Sequence, residues 1–473
     1  MSKVLRLFVV SIFVFKLHSS FAAVDCNPAT LVQHPQHILG CYIKKPSSLI
    51  WKFQAFQYDA VNKISIETYL LTSQIWQGVT WQHTLVIYRP DAVRSHQALL
   101  LINGGTRYPA AEDNPVPTQL NFAHIAHETQ TVVVDLQDVP NQYITFADHV
   151  PRKEDSIVAY SWNRFMDDPI HNQDWPLHLP MTKTIIKAMD ATQAILHRKN
   201  IQVDHFVVAG ASKRGWTAWL AAISDTRINA IVPIVIDILN LQKNIQHIYA
   251  FYNNNWPVPA FHDYMEQGIP DRLSSPEFAT LAKIEDPFSY LDTPEGKKRL
   301  AIPKYIISAG RDDFFVPDAL NLYINNLPGE TELRIFPQEG HYIDMKNSVG
   351  PALLSFYRMI VNNERRPRVS WHVNTQGVLD KVTTNKIPEK IQLCETTNPN
   401  ARDFRKLSVK SVVYQTKEIK NDCITNHCEY SILMTPPATG WKTAFVEIYF
   451  KKPNGEYLIL TTPAFVEGMA INK

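Results

Sequence analysis

The chain has 473 residues, 45% of them hydrophobic and 19% charged, with a formal net charge of +2. That is ample apolar material for a large core and more than one folding unit, and it excludes a disordered or fibrous chain. The near balance of charge gives no electrostatic reason to expect nucleic acid or an anionic membrane surface as a partner.

Residues 1–22 read as a secretory signal peptide. Lys3 and Arg6 form a positive start, residues 7–15 an apolar middle, and Ser20-Phe21-Ala22 the small-residue cleavage site. The apolar run is too short to span a bilayer, so no integral membrane association is expected. Cleavage removes Lys3, Arg6 and Lys16 and leaves 44 basic against 45 acidic residues, a net charge of −1. The expectation is an exported protein, periplasmic or extracellular. Export permits disulfides, and five cysteines are available. Cys26 with Cys41 would staple the N-terminus. Cys394 with Cys423 or Cys428 would staple the C-terminal region; one thiol is left over and the pairing stays open. Cys423, His427 and Cys428 match no standard zinc spacing, so no metal is expected.

From Ile64 to Asn363, short apolar runs alternate with longer helical stretches. The runs 84–89, 98–103, 131–136, 205–210, 230–237, 304–310 and 331–337 are rich in Val, Ile and Leu with little alternation, as in strands buried on both faces. Residues 182–198 carry apolar side chains at helical spacing, and 317–326 opens with Pro, a good first helical residue. Strands alternating with helices predict an α/β domain over residues 23–366 with a mainly parallel sheet. Residues 238–300 break the rhythm. Their Asn-, aromatic- and Pro-rich character reads as an insertion over the strand ends, and Trp256, His262 and Tyr264 are candidates for a cleft wall. After Arg366-Pro367-Arg368 the runs 407–417, 430–435, 443–451 and 457–463 are short and β-like, with a hairpin turn at 452–456. They predict a separate C-terminal domain, residues 367–473, built as an immunoglobulin-like β-sandwich. A purely attaching role for that domain, on a surface or carbohydrate, would let its removal spare turnover of a small substrate.

Chemistry concentrates at Gly210-Ala211-Ser212-Lys213-Arg214-Gly215, between an apolar strand and a helix. A sharp strand-to-helix turn there holds a serine up for attack, the small residues let strand and helix approach, and the Lys213 amide points where an oxyanion would form. A serine nucleophile needs a base, and the base an orienting acid, in the chain order Ser, Asp or Glu, His. Asp312 lies in the loop after one later strand and His341 in the loop after the next. Asp313 competes with its neighbour, and Asp237, also at a strand end, is the alternative acid. Asn103-Gly104-Gly105 after an early strand lets backbone approach a ligand, so Gly105 or Thr106 is the second expected oxyanion donor. The catalytic set is therefore Ser212, Asp312 and His341, with no metal or organic cofactor. The expected partner is a small ester, glycan or peptide substrate. For a peptide, Glu266 or Glu285 is a candidate carboxylate for an amino terminus. An exported binding or signalling protein on a hydrolase scaffold is the alternative. Oligomeric state stays open.

The segments Trp175-Pro-Leu-His-Leu-Pro-Met-Thr-Lys183, Gly210-Ala-Ser-Lys-Arg-Gly-Trp-Thr217, Asp237-Ile-Leu-Asn240 and Asp312-Asp-Phe-Phe-Val-Pro-Asp318, with His341 beyond, resemble the PhoPQ-activated pathogenicity-related (PqaA-type) family from about residue 45 onward. The resemblance implies an α/β-hydrolase with a C-terminal β domain and assigns Ser212, Asp312 and His341 to the triad. The elbow departs from the commonest Gly-x-Ser-x-Gly form, because glycine comes three residues after Ser212. A similar elbow occurs in glucuronoyl esterases, where a basic residue after the serine assists the oxyanion. By that likeness the Lys213 side chain either does the same or is solvated.

Overall fold

The computed structural model describes residues 25–107, 120–424 and 426–469; the expected signal peptide, residues 1–22, lies outside them. Nine strands build the principal sheet. β1 (Ile50–Asp59), β2 (Ile64–Trp76) and β3 (Val79–Pro90) form an antiparallel meander on one edge. β4 (Gln97–Ile102) and β5 (Val132–Leu136) follow, then β6 (Ile144–Thr145) and β7 (Pro151–Arg152), which pair only with each other. β8 (His205–Ala211), β9 (Ile228–Ile234), β10 (Lys304–Ala309) and β11 (Thr331–Phe336) complete the sheet in the order β1-β2-β3-β5-β4-β8-β9-β10-β11. Every pairing from β5 to β11 is parallel.

The unbroken apolar runs are explained by coverage on both faces. Along β4, Ala98, Leu100 and Ile102 face one core with the helices His178–His197 and Lys213–Ser224. Leu99 and Leu101 face a second core with the helices Phe122–Thr129 and Gly350–Val361. The six parallel strands therefore end on one edge, and the loops leaving β4, β8, β9, β10 and β11 carry Gly105, Ser212, Asp237, Asp312 and His341. In an open parallel sheet that edge is where a site is assembled.

Two expectations are corrected, for residues 317–326 and 407–417, and the insertion gains its internal structure. Residues 317–326 form two short 3-10 turns, Ala319–Leu322 and Ile324–Asn326, rather than one helix. The insertion is mostly helical, with Leu241–Phe251 and Pro276–Glu285 as its longest segments. The run 407–417 is strand only at Gln415–Glu418.

After Arg366 the sheets of the described residues are all antiparallel. β12 (Val369–Val373), β13 (Leu379–Thr384) and β16 (Cys428–Ser431) make one; β14 (Lys390–Asn398), β15 (Gln415–Glu418), β17 (Trp441–Lys451), β18 (Tyr457–Thr461) and β19 (Phe465–Gly468) make the other. Leu379, Val382 and Tyr430 of the first share a core with Ile391, Leu393, Val446 and Ile448 of the second, the packing of a sandwich. This unit abuts the edge of the principal sheet, where Tyr305 donates to the Ile459 carbonyl at 3.1 Å and Arg334 pairs with the buried Glu447.

Cys26 and Cys41 are bonded, joining two short N-terminal helices. The expected partnership of Cys394 is corrected: Cys423 bonds Cys428, and Cys394 is buried in β14 with its thiol on Glu447 Oε2 at 3.2 Å. Among the described residues no helix is long and apolar enough to cross a membrane.

Candidate active site

Ser212 sits at the corner between β8 and the helix Lys213–Ser224 with φ 56° and ψ −131°. This conformation is costly for a residue with a side chain and survives only where its surroundings dictate it. Here they do. A Cβ at Gly210 would lie 2.7 Å from the Arg214 backbone, and one at Gly215 would lie 2.7 Å from the Gly210 carbonyl oxygen. Only paired glycines let strand and helix close this tightly. The Ser212 amide donates to Ile234 O at 2.8 Å and its carbonyl accepts from Gly215 and Trp216, which fixes both sides of the turn.

His341 Nε2 lies 3.0 Å from Ser212 Oγ, and His341 Nδ1 lies 3.1 Å from each oxygen of Asp312. Asp312 Oδ1 also accepts the amides of Phe314 at 2.7 Å and Phe315 at 3.1 Å, so the carboxylate cannot turn away. The Phe314 ring packs over the imidazole with centroids 4.2 Å apart. An acid on Nδ1 selects the tautomer whose Nε2 accepts the serine proton.

The rival acids are placed elsewhere. Asp313 Oδ1 accepts the Leu407 amide at 2.9 Å. Asp237 is buried and takes the Tyr323 hydroxyl at 3.0 Å. Burial first, and then the nearby charge of Asp312, push the Asp237 carboxyl up to about 7.

Both expectations for the Lys213 side chain are corrected. It is neither solvated nor free for an oxyanion, because Nζ is buried 2.6 Å from Glu154 Oε2 and 3.4 Å from Asp155 Oδ1. Arg214 reaches the other oxygen of Glu154 at 2.7 Å and the Val139 carbonyl at 2.5 Å. Burial opposes the Glu154 charge, yet the Arg214 and Lys213 cations prevail and hold its carboxyl well below the usual range. The Lys213 backbone amide is a different matter: it opens the helix and has no intrahelical acceptor. Gly105 and Thr106 follow β4, the strand beside β8. Gly105 has φ +141°, and a Cβ there would come 2.4 Å from Asp138 Oδ1.

A narrow cavity of about 50 Å³ opens at Ser212, walled chiefly by Trp162, Trp216, Ile238, Trp256, Tyr264 and Phe315, with Asp155 and Lys213 as its charged lining. Trp256 and Tyr264 of the insertion thus reach the site. His262 does not: it is exposed and pairs with Glu266 at 3.2 Å. Glu285 is wholly buried, bonded by the Trp162 indole and the His178 amide, and is no free anchor for an amino terminus.

Sequence reasoning missed the Glu154–Lys213–Arg214 network and the segment 403–414. That segment crosses from the β-sandwich onto the loops of Asp312 and His341. Lys406 N donates to Arg311 O at 3.0 Å, Arg311 Nη2 to Val409 O at 2.5 Å, and Tyr414 OH to Gly310 O at 3.0 Å. Gln338 Nε2 donates to Tyr414 O at 2.7 Å. Residues 367–473 therefore touch the loops that carry Asp312 and His341. No spacing in the sequence signals either feature, since the partners lie tens of residues apart.

Residues 39–405 match the model of a family described as PhoPQ-activated pathogenicity-related protein. Autocrine proliferation repressor protein A of Dictyostelium discoideum is 33% identical over 433 residues, covering 83% of each chain. Among solved structures, acetyl xylan esterase 1 from Thermoanaerobacterium sp. JW/SL YS485 superposes with a TM-score of 0.44 at 15% identity, covering 70% of this chain and 93% of that one. A glucuronoyl esterase from Solibacter usitatus gives 0.42 at 12% identity over the same shares.

Proposed function

The chain belongs to the PhoPQ-activated pathogenicity-related protein family, and on that premise we propose that it is a serine hydrolase cleaving an ester or amide bond. The family name speaks of regulation and pathogenicity, so the chemistry is argued from the site. One observation carries it: the hydrogen-bonded chain from Ser212 through His341 to Asp312, with the serine in a strained turn. In this reading His341 takes the Ser212 proton as Oγ attacks the carbonyl, and returns it to the leaving group. Asp312 holds the imidazole and balances its charge. The Lys213 amide and an amide of Gly105 or Thr106 hold the oxyanion, each worth about 3 kcal/mol in the transition state. The Glu154 network is neutralising: it keeps the Lys213 and Arg214 cations paired beneath the turn. Two disulfides support an exported location, periplasmic or extracellular.

The test is intact-mass measurement after treatment with a small fluorophosphonate. One adduct on the wild type, absent from Ser212→Ala and His341→Ala, is the expected result. No adduct on folded wild type would remove the nucleophile from this reading.

A second reading, an exported binding or signalling protein on a hydrolase scaffold, is favoured by the name of the Dictyostelium relative. Growth of the producing cells with added wild-type or Ser212→Ala protein separates the two. A growth effect kept in full by the variant would favour signalling without hydrolysis.

A further inference from the structure

The segment Trp175 to Lys183 was conspicuous in the sequence but has no part in the chemistry above. Its His178 opens the helix His178–His197 and is fully buried. It nevertheless lines the cavity that holds Ser212. The imidazole packs on Trp216, with ring centroids 4.3 Å apart, and so meets the serine turn from below. Nδ1 lies 3.1 Å from Glu285 Oε1. That carboxylate is itself fixed, accepting the Trp162 indole at 2.5 Å and the His178 amide at 3.2 Å. Neither ring nitrogen of His178 makes a hydrogen bond. Three segments far apart in sequence thus bring a buried polar group, without a hydrogen-bonding partner, to a mainly aromatic and aliphatic wall whose charged members are Asp155 and Lys213.

A buried polar group without a partner is disfavoured, and on the wall of a cavity a bound group that pairs with it removes that cost. A water molecule satisfies such a group only where two or more polar atoms converge, and the walls around His178 are mainly Trp216, Trp162 and aliphatic side chains. The free space is about 50 Å³, roughly a third of the 150 Å³ that encloses a benzene ring.

We propose that His178, braced by Glu285, is a substrate-recognition residue: the group seated beside Ser212 is short and apolar and carries one hydrogen-bonding atom, a hydroxyl or carbonyl, that pairs with the imidazole. The substrate class is then an ester or amide of a short oxygenated acyl group or of a similarly small alcohol or amine. This rests on Ser212 being the nucleophile. A site built around such a hydrogen bond discriminates against the analogue that lacks it, because the buried group is then left unpaired.

Matched p-nitrophenyl esters of the shortest acids test it: acetate against hydroxyacetate, and propanoate against 3-hydroxypropanoate. In the wild type at least one oxygenated member is favoured by about tenfold or more in kcat/KM. In His178→Leu that ratio falls to near one, and in His178→Gln, which keeps a hydrogen-bonding group, part of it returns. The ratio is taken within each variant, so a loss of folded protein does not imitate the effect. Equal or reversed preference in the wild type overturns the proposal, as does a preference that survives His178→Leu. Labelling of Ser212 by a small fluorophosphonate without turnover of any ester overturns the substrate class alone. Failure of that labelling removes the nucleophile on which the proposal stands.

Discussion

His341 Nε2 stands 3.0 Å from Ser212 Oγ across 129 residues of chain. The two strands that deliver them, β8 and β11, are separated in the sheet by β9 and β10. The contact therefore depends on every crossover between them being in register, and it makes the serine turn and the loop after β11 one functional unit.

Removing either partner of that contact is expected to cost roughly 10⁶-fold in turnover, and the two losses are not additive because the residues act as a unit. Single and double variants of Ser212 and His341, compared by kcat with any ester found to be turned over, check this. A double variant much slower than either single one would mean independent roles.

Asp312 and Asp237 are expected to separate cleanly. Asp312→Asn leaves the loop in place but offers His341 the wrong tautomer, lowering kcat roughly 10⁴-fold. Asp237→Asn keeps an acceptor for Tyr323 and costs less than about tenfold. It also changes the pH dependence of stability. The Asp237 carboxyl is raised from 3.8 to about 7, so between those values the native state holds a proton the unfolded chain has shed. Stability therefore falls as pH rises through that window and is level above it. Asp237→Asn removes this term. Its stability relative to wild type should improve by on the order of 4 kcal/mol between pH 4 and pH 8, read by urea unfolding at each pH.

Glu154 is expected to matter for the serine turn without touching substrate. Glu154→Gln leaves the Lys213 and Arg214 cations under-compensated and should cost about 2 kcal/mol at neutral pH. Its folded-state carboxyl is lowered, so its contribution is present above the ordinary carboxylate range and fades as pH falls through it. Urea unfolding at pH 7 and pH 3 should show a smaller difference between variant and wild type at the lower pH.

Deletion of residues 367–473 should abolish fluorophosphonate labelling rather than spare it, since it removes the segment that holds the Asp312 and His341 loops. Tyr414→Phe is the milder form: it loses the bond to Gly310 O and should cost about 1 kcal/mol in stability. Labelling at wild-type rate by the truncated chain would show the loops to be self-supporting.

Cys26→Ser should lower stability by about 3 kcal/mol, the chain-entropy value for a loop of some 15 residues. Added reductant should do the same to the wild type and nothing further to the variant, apart from any effect through Cys423–Cys428.

Much of this architecture is written locally. Apolar runs such as that of β4 must be buried on both faces, and glycines at 210 and 215 leave a serine at a tight strand-to-helix corner. Strand order along the chain then puts Ser212, Asp312 and His341 on one edge of a parallel sheet. Periodicity and turn chemistry act over a few residues, which is why these features are legible without coordinates. The long edge strand β1 escaped notice because it is exposed along most of its length and shows no burial pattern.

Tertiary structure alone decided the rest. Asp312 and Asp313 are neighbours of the same type, and which one faces His341 depends on the amides of Phe314, Phe315 and Leu407 that fill the remaining positions. Cys394 lost its expected partner because β14 buries it against Glu447, while Cys423 and Cys428 sit at the two ends of one short loop. Lys213 gained Glu154 from a helix far upstream, and His178 met Trp216 and Glu285 on a cavity wall. Each of these is a contact between distant segments, whose energy depends on packing and desolvation at a place that no residue spacing specifies.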